Sequence, residues 1–313
     1  MKSNLFSSLL LLIPILLHSQ TSNDKIIYLD SLLDESTFEN FKYLRVIKDY
    51  VQDKKNYPVI DYYDSGKVLM EGKTENKDDL VNTGQFIYYY ENGNRQKIIN
   101  FKKNKPIGSY FELYENGNKK LEAEYLEEKR DNPNFLKIKN YWDKDNNQKV
   151  IDGTGFYEEN EKDFFTIGEV KNGFKEGVWE GSLKNQKITY KETYKSGKLI
   201  SGESLDENKV TYNYTEIETK PDYKSGDMGF YKYVSKNYRT PKVQGLKGIV
   251  YVTFVVDKDG KIVEPKVLRD IGHGTGVEAI RVLNNCGEWT PGEQRGIKVR
   301  CAFSLPISVQ SNR

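Results

Sequence analysis

Apolar and polar residues alternate along most of the chain, and glycine punctuates the alternation. From Tyr62 onward one order recurs: an aromatic pair, an Asn-Gly or Ser-Gly dipeptide, a Lys or Asn, and a further glycine ahead of the next aromatic cluster. GQFIYYYENGN at 84–94 and GSYFELYENGN at 108–118 repeat with a spacing of 24 residues, and EVKNG at 169–173 and TYKSG at 193–197 keep it. With YYDSG at 62–66 and a degenerate unit around Tyr141 and Trp142, about six units fill residues 61–203. Asn-Gly between aromatic runs predicts a β-hairpin with a type I′ turn, because both central positions of that turn need positive φ. One hairpin cannot bury its own aromatic face. Consecutive hairpins are therefore expected to stack into an elongated antiparallel array, with Tyr88, Tyr89, Tyr90, Phe111 and Tyr114 among the buried rings. Residues 24–60 lead into the array, and YLRVIKDYV at 43–51 reads as a first strand or a helix, the strand being favoured because Tyr, Val and Ile dominate it.

A polar stretch at 204–220 reads as a linker, and beyond it, over 221–313, the period changes. YKSGDMGFYKYVSKNY at 223–238 predicts a helix with Met228, Phe230, Tyr231, Val234 and Tyr238 at helical spacing, halted by Pro241. GIVYVTFVV at 248–256 predicts a strand with Val250, Val252, Phe254 and Val256 on one face. DKDGK then turns the chain into a second strand at 261–270. A second helix opens near Thr275, read as N-cap with Glu278 three residues later. IKVRCAFSLPI at 297–307 is the last strand, with Ile297, Val299, Cys301, Phe303 and Leu305 facing inward. The fold class expected is mainly β: an elongated antiparallel β-hairpin array followed by a small α+β domain with a three-stranded antiparallel sheet and two helices.

Two resemblances follow from these residues. The aromatic, x-Gly-Lys and Gly-x-Trp spacing, the last at Gly177, Val178 and Trp179, resembles the MORN-type variant repeats of bacterial YwqK-like proteins. It implies an interaction scaffold. GDMGFYKYVSKN before Pro241, Gly248 with VYVTFVVDKDGKI, VLRDIG, EAIRVL and WTPGEQRGIKVRCAFSLPI together resemble the TonB C-terminal domain in the form of Bacteroidetes-type energy transducers. That resemblance implies a periplasmic module pairing with the TonB box of an outer-membrane transporter, by adding the peptide to an open sheet edge. The strand at 297–307 is the edge expected to receive it, with Lys298, Arg300 and Ala302 pointing outward and the two cations suiting an acidic peptide. The chain departs from the family in having Thr240 where a tyrosine usually precedes the proline, and 9 scattered prolines instead of a proline-rich spacer.

Residues 1–20 carry a lysine beside the start and an apolar run from Leu5 to Leu17, the pattern of a secretory signal peptide. The run of 13 residues makes about 20 Å of helix against a hydrocarbon core of about 30 Å, and Pro14 interrupts it. Export to the periplasm is expected; the alternatives are an uncleaved leader that anchors an energy transducer in the inner membrane, and a structural envelope scaffold acting through the repeats.

Charge and chemistry narrow the reading further. With 48 Lys plus Arg against 46 Asp plus Glu, the net charge of +2 lacks the basic excess of a nucleic-acid binder. Of the two histidines, His18 lies in the leader and His273 in GHGTG, a flexible helix entry that lacks the lysine and spacing of a P-loop. DKDNN at 143–147 fails as a calcium loop, with Gln148 in place of the turn glycine and Thr154 in place of the bidentate glutamate. Neither an enzyme nor a cofactor, metal or small-molecule substrate is expected. Cys286 and Cys301 are either a disulfide closing a short loop or two buried thiols.

Overall fold

The computed structural model describes residues 23–127, 136–224 and 226–311; the leader expected at 1–20 lies outside them. Sixteen strands among the described residues precede the C-terminal domain, and their pairings, within the first eight and within the last eight, are antiparallel between successive strands. The chain divides into two units within this run. The first holds β1 (Lys25–Leu29), β2 (Tyr43–Ile47), β3 (Tyr57–Tyr63), β4 (Val68–Thr74), β5 (Gly84–Tyr89), β6 (Arg95–Lys102), β7 (Lys105–Leu113) and β8 (Lys119–Tyr125). The second begins with β9 (Leu136–Trp142), β10 (Gln148–Ile151), β11 (Thr154–Asn160), β12 (Phe164–Lys171), β13 (Phe174–Leu183), β14 (Ile188–Lys195), β15 (Lys198–Leu205) and β16 (Thr211–Tyr214). The strand expected in 43–51 is β2, and the expected linker at 204–220 carries β16, which pairs with β15.

Two kinds of tight hairpin recur among these strands. At Asp152-Gly153, Asn172-Gly173 and Ser196-Gly197 both loop residues have positive φ, so these are the expected two-residue type I′ turns. At the YENGN segments the expectation fails. Among Glu91, Asn92 and Gly93 only the glycine is left-handed, at φ +90°. The Gly93 N–H donates to the Tyr90 carbonyl at 2.8 Å, and the Tyr90 N–H to the Asn94 carbonyl at 2.8 Å. The loop is thus three residues long, with a register shift between Tyr88 and Tyr89, and residues 114–118 repeat it. The extra loop residue would flip every side chain beyond it to the other face; the bulge restores the alternation. The Asn92 side chain accepts the Asn94 N–H at 2.8 Å, so the asparagine serves as an Asx turn and not as a left-handed residue.

In the array a ring is buried against glycine on the adjacent strand. Gly168 stands opposite Trp179, Gly181 opposite Tyr190 and Gly202 opposite Tyr214, and a Cβ on Gly168 would meet the indole at 2.3 Å. Phe86 over Gly72 repeats the device in the first unit. Of the rings expected inside, Phe111 is 42% exposed and Tyr88, Tyr89, Tyr90 and Tyr114 are half-buried; the buried rings include Tyr57, Phe86, Tyr141, Tyr157, Trp179, Tyr190, Tyr194 and Tyr214.

The C-terminal domain builds a second kind of core. Its elements are β17 (Glu218–Thr219), β18 (Asp222–Tyr223), α1 (Gly226–Asn237), β19 (Lys247–Val256), β20 (Ile262–Arg269), α2 (Thr275–Asn284), β21 (Trp289–Thr290), β22 (Gly292–Gln294), β23 (Ile297–Val299) and β24 (Cys301–Gln310). The main sheet has the order β20-β19-β24, and two smaller ones the orders β17-β22-β23 and β18-β21. Val250, Val252, Phe254 and Val256 alternate inward from β19, as do Leu305, Ile307 and Val309 from β24. Phe230 and Val234 of α1 and Ala279, Val282 and Leu283 of α2 close over them. Met228 and Tyr231, expected on the inner face of α1, are 81% and 54% exposed. The capping box also fails: Thr275 is already helical after Gly274, and no side chain of its N-cap is engaged. Asp270 does the capping instead, since its carboxylate accepts the Thr275 hydroxyl and the N–H groups of Gly272 and Gly276.

Candidate partner-binding edge

β24 pairs with β19 along its whole length, from Lys247 opposite Gln310 to Val256 opposite Cys301, without a bulge. On its other side no strand lies among the described residues, so a row of backbone groups is open. Pro306 sets which groups face outward. It lacks an N–H, so it fits where its nitrogen points away from β19. By the two-residue period the N–H groups of Ala302, Ser304 and Ser308 then face the open edge. Their side chains are exposed on the sheet face opposite the helices. An incoming strand can bond at Ala302 and Ser304, but it meets no donor at Pro306.

The three residues expected to mark the edge are not on one strand. The stretch 297–307 is broken at Arg300, which lies between β23 and β24. Lys298 lies on β23, opposite Glu293 of β22 in one of the smaller sheets. Arg300 is exposed and engaged with Glu264 at 2.6 Å, a contact that holds the Glu264 carboxyl below its ordinary range. Ala302 alone lies on the open strand, opposite Val255. Alternation continues through Arg300 in the sequence, but β22 and β19 compete for the two halves, and each takes the half it faces.

Residues 241–308 match the family model of the Gram-negative bacterial TonB protein C-terminal. No curated protein matches the chain. The match takes in β19, β20, α2 and all but the end of β24, hence the open edge, and it stops short of α1 and the array.

Within this TonB-like domain Cys286 and Cys301 are free thiols. Cys286 packs against the helix-covered core beside Tyr223 and Trp289, and burial pushes its thiol up. Cys301 instead faces Gly292, where an added Cβ would lie 2.8 Å from its sulfur. The two side chains serve different contacts, one beneath the helix end and one against a strand of the neighbouring small sheet.

The TonB-like domain is also joined to the second unit's strands by a contact that sequence reading missed. β22 and β23 form a two-residue hairpin whose tip, Arg295 and Gly296, has positive φ at both positions. Arg295 reaches between the array's rings: its Nε donates to Glu192 Oε1 at 2.9 Å, and its guanidinium lies 4.0 Å from the Tyr190 ring centre. Glu192 is fully buried and also accepts the Tyr194 and Tyr214 hydroxyls, each at 2.8 Å. Burial and the adjacent carboxylate raise both phenols. The Ser204 hydroxyl donates to the Arg295 carbonyl at 2.7 Å, and the Arg295 N–H to the Ile217 carbonyl at 2.7 Å. A buried carboxylate with three donors, one of them cationic, is satisfied. The visible signal was Glu192 itself, a charged residue at the inward position between Tyr190 and Tyr194.

Proposed function

We propose that this protein is a non-catalytic envelope protein, exported to the periplasm, whose TonB-like domain binds the TonB box of an outer-membrane transporter by strand addition and so supports energy-coupled transport. The open edge of β24 at Ala302 and Ser304, inside the segment that matches the TonB family model, carries this reading. Backbone pairing supplies affinity without a fixed side-chain code, as an extended partner requires. The array, which resembles MORN-type repeats, is read as the scaffold that holds the domain through Arg295. No helix among the described residues is long and apolar enough to cross a membrane.

The test replaces Ser304 by proline. Ser304 has the same parity as Pro306, so the substitution removes an outward N–H and leaves the ladder to β19 in place. Binding of TonB-box peptides, followed by calorimetry, is expected to vanish in Ser304→Pro with an unchanged circular dichroism spectrum. Undiminished affinity in that folded variant would remove the edge from the mechanism.

A further inference from the structure

Alongside the open edge runs a cleft of about 420 Å³ between α1, Lys220–Asp222 and β24. Its floor is a cluster of rings: Phe230 and Trp289 lie 4.8 Å apart, Trp289 and Phe303 5.4 Å, and Phe254 stacks on Phe303 at 5.3 Å. Phe303 and Leu305 project from β24 on this side of the sheet, so the cleft lies on the helix face of the edge. Tyr231, 54% exposed, stands on its rim.

A strand added to β24 continues the pleat, and every second side chain falls on the helix face. That side chain meets the ring floor, which favours an aromatic or large apolar group. The walls set the charge of its neighbours. Asp222 and Asp227 line the cleft, are exposed, and form no ion pair among the described residues. Lys220 is the cation among the lining residues. Arg300, which in the sequence argues for an acidic peptide, lies outside this cleft and is engaged with Glu264.

We propose that the cleft between α1 and the β24 edge selects an extended segment of a partner protein that presents an aromatic side chain with a lysine or arginine two residues away on the same face. The aromatic group seats on Phe230, Trp289 and Phe303, and the cations approach Asp222 and Asp227. This inference rests on strand addition at β24 and adds to it the side chains the partner must carry.

Fluorescence anisotropy with the full chain tests it, using labelled, capped nine-residue peptides in which threonine on one face alternates with a variable triplet on the other. The Lys-Phe-Lys peptide is expected to bind roughly tenfold more tightly than Glu-Phe-Glu, the worth of two exposed charge pairs, and more tightly than Lys-Ser-Lys. Replacing both acids, Asp222→Asn with Asp227→Asn, is expected to bring the charge preference below about threefold by the same reckoning. Tyr231→Ser is expected to weaken the two phenylalanine peptides and leave Lys-Ser-Lys unchanged. Equal binding of Lys-Phe-Lys and Glu-Phe-Glu, or a preference that survives in the double variant, overturns the proposal. If Ser304→Pro abolishes all binding while the double variant changes nothing, strand addition stands and the cleft inference fails. If the charge preference persists in Ser304→Pro and disappears in the double variant, the cleft stands and strand addition fails. A chain that binds none of the peptides, or that dimerises through an edge which Ser304→Pro disrupts, overturns the selection of a cationic partner.

Discussion

The array and the C-terminal domain bury their rings by opposite means. In the array a ring such as Trp179 lies on the glycine directly opposite it, Gly168, so the partner is one strand away and set by the hairpin register. In the domain Phe254 is covered from another layer, by Phe230 of α1 and by Trp289, and these contacts join distant parts of the chain. The first arrangement accumulates strand by strand from nearest-neighbour contacts; the second closes as one core. Among the described residues the array also takes charges into its buried face, and the domain takes none. Asp61 is held by Arg45 through two bonds of 2.8 Å, and Lys120 by Glu112 at 2.8 Å. The third such charge, Glu192, is held across the boundary by Arg295, and there the two ways of packing become one structure.

Breaking that junction should have the largest effect. Arg295→Met leaves the Glu192 carboxylate buried without its cation, and a loss of about 3 kcal/mol is expected in urea denaturation. Adding Glu192→Gln keeps an acceptor for Tyr194 and Tyr214 while removing the charge, and should recover most of that loss. No recovery would mean that Arg295 acts through its packing on Tyr190 and not through the carboxylate.

Alanine in place of glycine separates the two regions at a smaller scale. Gly168→Ala drives a methyl group into the Trp179 indole, and a cost of about 2 kcal/mol is expected from overpacking. Gly287→Ala, in the domain, meets only the Tyr223 hydroxyl at 3.9 Å and should stay within about 0.5 kcal/mol of the parent. Equal effects in urea melts would show that the array does not depend on ring-over-glycine contacts.

The smallest effect belongs to the cap of α2. The Thr275 hydroxyl, and after it the N–H groups of Gly272 and Gly276, hold the Asp270 carboxyl below its ordinary value. Because the folded value is the lower one, this contribution is present above the unfolded value of about 4 and is lost as pH falls through the folded value. Asp270→Asn should cost about 1 kcal/mol at neutral pH, and the gap between variant and parent melting temperatures should narrow below about pH 4. A gap independent of pH would assign the cost to shape alone.

Much of this was legible along the chain because it is local. Alternation with period two, glycine at turns and a change of period near residue 223 mark the hairpins of the array, the β19–β20 hairpin and the two helices. The inward face of β19, and on β24 the inward positions of Phe303 and Leu305, were read correctly for the same reason. The class of turn at YENGN was not legible, since Asn-Gly suits either loop length and the bulge that decides between them belongs to the pairing of β5 with β6. Nor was the break at Arg300: the residues on either side continue one pattern, and only the competing neighbours β22 and β19 divide them. The same holds for Asp270, which displaced Thr275 as cap because the loop at 270–274 folds its carboxylate onto the helix start. Glu192 and Arg295 stand 103 residues apart. The sequence by itself determined that a charge would sit among inward-facing rings. Tertiary structure alone decided which cation answers it, because pairing at that separation depends on where two hairpins meet and leaves no periodic trace in either.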